Sequence, residues 1–170
     1  VRDQAACAST TRAIFAGGIG DDPAAIAATE VHFVNFASKG NSEIFAALTI
    51  RKFGNAGVSN STRAVFSGGG GPGPSYTDNN VIDFITMSSG GEASDFGDQS
   101  VTRRSIIPMS SSIRGVFAGG YASPHAITTS VNTMDFITIA TTGNATDFGD
   151  MLAASRTGGG ASDSHGGLGD

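Results

Sequence analysis

The chain has 170 residues, of which only 15% are charged, against roughly 25% in an average globular protein. Its formal net charge is −5 and Lys39 and Lys52 are its only lysines, which argues against nucleic acid as a partner, because that affinity comes from cationic side chains that release counterions from phosphates. No apolar run reaches the ~18 residues of a membrane-spanning helix, no charged-then-apolar leader opens the chain, and the single cysteine, Cys7, reads as a small buried thiol rather than half of an internal disulfide.

One pattern dominates the sequence. Thr11-Arg12-Ala13-Ile14-Phe15-Ala16-Gly17-Gly18 returns with small changes at 62–69 and again at 113–120, so that Arg12, Arg63 and Arg114 stand 51 residues apart. A fourth echo follows as His165-Gly166-Gly167-Leu168-Gly169. Self-similarity at such a period marks a supersecondary unit that cannot bury its apolar face alone and stacks on copies of itself. The spacing divides the chain into repeats at about 10–60, 61–111 and 112–162 and a partial fourth at 163–170. Residues 1–9 then supply the first strand of the first unit. Because Arg2 to Ser9 matches Arg104 to Ser110 and Arg156 to Ser162, both ends are expected to belong to a longer array.

In chain order each repeat predicts four strands, short, β-branched or aromatic, and bounded by Gly, Asn, Asp, Ser and Pro. The first is made of small residues, at 5–9, 55–59, 106–110 and 159–162. The second covers Arg12–Ala16, Arg63–Ser67 and Arg114–Ala118, each stopped by a diglycine that permits positive φ. The third and longest is expected at 31–37, 81–88 and 133–140, after a variable loop at 19–29, 70–80 and 121–132. A turn containing Gly40-Asn41, Gly90-Gly91 or Gly143-Asn144 leads to the fourth, at 44–48, 95–101 and 147–153.

Three phenylalanine columns run through the repeats: Phe15, Phe66 and Phe117; Phe33, Phe84 and Phe136; Phe45, Phe96 and Phe148. Burying a large ring contributes about 1.5–3 kcal/mol, so rings kept at equivalent places read as packing rather than as a cofactor box. In the third strand Val81, Ile85 and Met87 point to one face and Ile82 and Phe84 to the other, so both faces are expected to be covered. Sheets with two apolar faces repeated in tandem suit radial stacking, and the small first strand suits a crowded axis.

A hydrophobic strand ending in diglycine, a long strand after a variable loop, a turn, an aromatic, and then Thr102-Arg103-Arg104 or Ala154-Ser155-Arg156 together resemble the kelch-type β-propeller repeat. The pattern departs from that family in lacking tryptophan, whose place Phe45, Phe96 and Phe148 take, and in lacking a constant tyrosine after the diglycine. The wording of residues 135–150 is more closely similar to repeats in large virion proteins of marine tailed phages. The resemblance implies an all-β fold of about three four-stranded propeller blades plus part of a fourth, with a β-trefoil or β-prism as the structural alternative. It implies a non-enzymatic structural or binding module in a virion, such as a tail fibre or surface appendage, whose partners are other virion proteins, further copies of itself, or a host surface glycan or protein. A secreted or cell-surface adhesin is the alternative; a propeller enzyme with catalytic residues outside this segment is the second.

No residue constellation specifies a reaction, and neither cofactor nor metal is expected. Arg12, Arg63, Arg114, Asp83 and Asp135 recur as scaffold. A carboxylate on the third strand must be paired, because burying one alone costs several kcal/mol, so Asp83 and Asp135 are each expected to meet an Arg or a backbone N–H within or between repeats, with Arg63 the partner to test for Asp83. Asp95-Phe96-Gly97-Asp98 and its copy at 147–150 read as turns rather than calcium loops. His32, His125 and His165 occupy unrelated places. The candidate ligand contacts lie on the variable loops, expected on one rim: Asp21, Asp22, Tyr76, Asp78, Asn79, Asn80, Tyr121 and His125.

Overall fold

The computed structural model describes residues 1–20, 28–71, 77–122 and 129–163. Among them the chain is all-β, with no helix. The repeats fold into three four-stranded antiparallel sheets. The first pairs β1 (Ala5–Ala8), β2 (Arg12–Ala16), β3 (Glu30–Asn35) and β4 (Glu43–Ala47) in that order. The second pairs β5 (Ala56–Ser59), β6 (Arg63–Ser67), β7 (Val81–Thr86) and β9 (Ser94–Asp98), and β8 (Gly91–Glu92) leaves its own repeat to join β4 in parallel. The third pairs β10 (Ile107–Ser110), β11 (Arg114–Ala118), β14 (Thr133–Thr138) and β15 (Thr146–Asp150), while β12 (Tyr121–Ala122) and β13 (Thr129–Ser130) form a short ribbon of their own.

The second strand of every repeat has the limits expected of it, because the diglycine ends it. Gly68 shows why that residue is needed: its φ is 64°, and a Cβ there would lie 2.6 Å from the Arg103 carbonyl oxygen. The third strands stop earlier than expected, since the chain turns at once after them, with Gly90 N–H donating to Thr86 O at 3.0 Å and Thr141 N–H to Thr138 O at 3.0 Å. Residues 159–162, expected as a first strand, contribute one parallel bridge, Ser162 with Ser110. No barrel closes among the described residues, as a β-trefoil would require.

Each sheet carries a bulge at one equivalent place, between Val31 and His32, between Ile82 and Asp83, and between Met134 and Asp135. Phe45, Phe96 and Phe148 are the extra residues opposite these steps, and the inserted residue re-aims the strand. The ring thereby meets the neighbouring column: Phe33–Phe45 centroids are 5.1 Å apart, Phe84–Phe96 6.0 Å and Phe136–Phe148 5.9 Å.

Two apolar layers hold the sheets together. Ile14, Ala16, Val31 and Leu48 of the first repeat bury against Ala64, Phe66, Ile85 and Met87 of the second. The opposite face of the second sheet, with Val58, Val65, Ile82 and Phe96, buries against Phe117, Ile137 and Ile139 of the third. Both faces of β7 are therefore covered, as its sequence required. Backbone bonds tie the outer edges as well, with Gly143 N–H donating to Phe96 O at 2.7 Å and Ala145 N–H to Asp98 O at 2.8 Å. The end faces lack such a neighbour among the described residues, so Phe36 is 57% and Phe148 49% exposed while Phe96 is buried.

Candidate functional site

The segments that join one sheet to the next run beside the loops that follow the diglycines, with Arg2 bridging Ile19, Phe53 bridging Gly70 and Arg104 bridging Tyr121. Asp3, Gly54, Ser105 and Thr157 occupy one place in successive repeats, and all four are left-handed, with φ of 58°, 60°, 54° and 57°. Each bonds the one before it: Gly54 N–H to Asp3 O at 2.8 Å, Ser105 N–H to Gly54 O at 2.6 Å, and Thr157 N–H to Ser105 O at 2.9 Å. Three non-glycine residues held in a region that costs about 1–2 kcal/mol each show how strongly the stack imposes this ladder. The sequence signal was a column of small or polar residues that tolerate positive φ, hidden because no two of them are alike.

Asp3, Asn55, Ser105 and Thr157 border a cleft of about 320 Å³ at this end. Further along the same four segments, residues 6–8, 57–59, 108–110 and 160–162 line a second cleft of about 450 Å³. Small side chains of the innermost strands keep it open. Cys7 is among them, and burial pushes its thiol from 9.0 up to about 12, partly opposed by the Ser59 hydroxyl.

The recurrent carboxylates are buried and paired, but with partners other than the second-strand arginines. Asp83 meets Lys52 at 2.8 Å, both side chains fully buried, and accepts a bond from the Thr49 hydroxyl. The expectation of an arginine or a backbone N–H is corrected at Asp83 and met at Asp135, which takes Arg103 and the Ser100 N–H: the segment preceding the second sheet delivers Lys52 to Asp83, whereas Arg63 lies over Phe84 at 4.5 Å and donates to Ile139 O at 3.2 Å. Burial lowers the Lys52 pKa, and the Asp83 carboxylate pulls it back part of the way. Asp135 repeats the design with Arg103 at 2.9 Å and the Ser100 hydroxyl at 2.7 Å. Arg103 also donates to the carbonyls of Gly119, Thr133 and Phe117; its pKa is lowered by burial and raised by Asp135. Neither Lys52 nor Arg103 was singled out from the sequence, because their partners lie 31 and 32 residues away on another element.

Arg12 and Arg114 behave as Arg63 does within the sheet, over Phe33 at 5.1 Å and over Phe136 at 4.9 Å. Arg12 also donates to Met87 O at 2.8 Å. These arginines are inter-sheet clips wherever a following sheet offers a carbonyl.

The loop candidates divide into several groups. Asp78 is buried in an ion pair with Arg104. Asn79 holds its own loop, its side chain donating to Gly69 O at 2.7 Å and accepting from Val81 N–H at 3.2 Å. Asn80 is half-buried and accepts from Gln99 N–H through its carbonyl at 2.8 Å. Tyr121 is half-buried and carries Arg104 at 4.5 Å and Arg156 at 4.6 Å from its ring centre. Asp21, Asp22, Tyr76 and His125 lie outside the described residues. Asp95 and Asp147 accept bonds from Gly97 and Gly149 N–H at 3.1 and 2.9 Å, which is turn geometry. Among the described residues no three His, Cys, Asp or Glu side chains converge to hold a metal.

Comparison with known protein families finds no match, and none is found among curated proteins. Among solved structures the chain is similar to the structure of YjhT, with a TM-score of 0.71 over 91% of this chain and 53% of that one, at 11% identity. The likeness at this identity concerns the fold alone. The chain spans about half the length of that protein.

Proposed function

We propose that the three sheets are blades of a kelch-like β-propeller and that the chain is a non-enzymatic structural and binding module. The observation that carries this reading is how the buried charges are used. Lys52–Asp83 and Arg103–Asp135 each tie one inter-sheet segment to the next sheet, which makes them scaffold repeated with the fold rather than a lone reactive cluster. What the open end offers instead is a cleft bordered by hydroxyl and carboxylate groups beside a tyrosine that carries two arginines, groups suited to holding a ligand.

The wording of residues 135–150 supports a place in a phage virion, in a tail fibre or surface appendage that contacts a host glycan or protein, with other virion proteins or copies of the chain as neighbours. Immunogold labelling of purified particles with an antibody to the chain tests this. Regular labelling of capsid or tail is the expected result; label confined to a cell surface would replace the virion part with a cellular adhesin.

A further inference from the structure

We infer that Arg156, set on the Tyr121 ring, is a binding site for an external carboxylate, the place that Asp78 fills internally one repeat earlier. This rests on the reading of the chain as a binding module and names the chemistry of its ligand. The register is given by the backbone. Gly70 bridges Phe53 on one side and Asp78 on the other; one repeat later Tyr121 bridges Arg104 on one side and pairs with Ser130 on the other. Ser130 therefore stands where Asp78 stands. Arg104 and Arg156 correspond in the same way, since each precedes the left-handed residue of its segment, Ser105 or Thr157.

In the second repeat the guanidinium is answered from within: Asp78, with a side chain 1% exposed, pairs with Arg104. In the third repeat the acid is replaced by a short hydroxyl, and the exposed Arg156 has no carboxylate partner among the described residues. Two cations thus share the Tyr121 ring, and among the described residues only Arg104 meets a carboxylate. Cation–π attraction holds Arg156 against the ring at a modest stabilisation, which fixes a side chain that would otherwise sweep solvent and lowers the entropy lost on binding. A guanidinium so held presents its fork of N–H donors to a planar carboxylate. Asp78 is the structure's own example of an acid that fits.

The test is a two-dimensional NMR titration of the 170-residue chain with acetate, methyl glucuronide, methyl glucoside and inorganic phosphate at constant ionic strength. Acetate and methyl glucuronide should shift the Arg156 Nε–H and the Tyr121 and Ser130 amides, and tighter binding of the glucuronide would place the carboxylate on a sugar rather than a free acid. Arg156→Gln should weaken binding at least about tenfold, the loss of one charge-assisted contact. Ser130→Asp supplies the internal acid and should block binding to a similar degree while leaving the thermal midpoint unchanged or raised. Equal shifts with methyl glucoside, shifts with phosphate alone, unchanged affinity in either variant, or no shift with any probe would each overturn the assignment. Cell or particle attachment that survives in Arg156→Gln would do so while leaving the binding-module reading in place.

Discussion

Removing the Lys52 ammonium should cost this protein more than any exposed substitution, and removing it together with its partner should cost far less. Lys52 and Asp83 are both fully buried, 2.8 Å apart, and they join the segment before the second sheet to the middle of β7. Lys52→Met leaves the Asp83 carboxylate buried with, among the described residues, only the Thr49 hydroxyl to answer it, which destabilises a fold by about 3–5 kcal/mol. For a chain of this size each kcal/mol lowers Tm by about 2–4 °C, so the variant should melt roughly 6–20 °C below the parent. Lys52→Met combined with Asp83→Leu removes both charges and fills the space with apolar atoms, an exchange that is often neutral. Urea unfolding followed by far-UV circular dichroism measures all four corners of the cycle. A coupling of about 3 kcal/mol is expected; losses that add would show that the pair is not the joint described above. The pH dependence has a sign of its own. Burial depresses the Lys52 pKa below 10.5, so between the native and unfolded values the unfolded chain binds more protons, and stability rises with pH across that window. It is lost as pH falls through the native value. Asp83→Leu removes the carboxylate that supports the charge, so its window must open at lower pH than in the parent.

Arg63→Leu should cost about 1–2 kcal/mol, the loss of a charged donor to Ile139 O and of the contact with Phe84, while Arg114→Leu at the same place of the next repeat should be close to neutral because that side chain makes no such inter-sheet bond among the described residues; equal losses in thermal melts would contradict the clip. Asn55 stands where the next repeat has the buried Ile106, and its amide is buried with no hydrogen-bond partner among the described residues. Asn55→Ile should therefore stabilise by about 1–3 kcal/mol, the penalty of an orphaned polar group, and a fall in the urea midpoint would reveal a bound water or other partner. Cys7, raised to about 12, should be alkylated slowly by iodoacetamide at pH 8 and rapidly in urea, as mass spectrometry would show. Because the native thiol keeps a proton that the unfolded one releases, its contribution to stability should decline from pH 9 towards 12.

Strand content was legible because each signal was local. The diglycine ended β2, β6 and β11, and the apolar pattern of Ile82, Phe84 and Ile85 already demanded cover on two sides. What could not be read was pairing between residues from different elements. Asp83 plainly needed a counter-charge, but the sequence offers Arg63 as readily as Lys52, and only the path of the segment before β5 decides between them. The bulge beside Asp83 was equally hidden, since Phe96 looks like any strand residue until its register with β7 is known. At the candidate site Tyr121 was recognisable as a loop aromatic, whereas its two guanidiniums come from segments 17 residues before it and 35 after it, a convergence that no spacing announces.

The same pairing rule also constrains what can stack on the third sheet. Thr49 and Lys52 serve Asp83, and Ser100 and Arg103 serve Asp135. The segment after β15 is in matching register, because Ser155 O accepts from Gly120 N–H as Arg103 O accepts from Gly69 N–H and Lys52 O from Gly18 N–H. There the hydroxyl and the cation are replaced by Leu152 and Ser155. A sheet docking on that face with aspartate in mid-strand would bury a carboxylate beside a leucine with no cation to answer it, at several kcal/mol. A sheet like the first would not, because His32 takes the aspartate's place in β3 and stays partly exposed beside Glu30 at 3.4 Å. Any unit that packs against the third sheet must therefore carry a residue other than aspartate there, or bring its own cation. A neighbour bearing a buried, unpaired aspartate at that position would show that the joint between sheets does not depend on the ion pair.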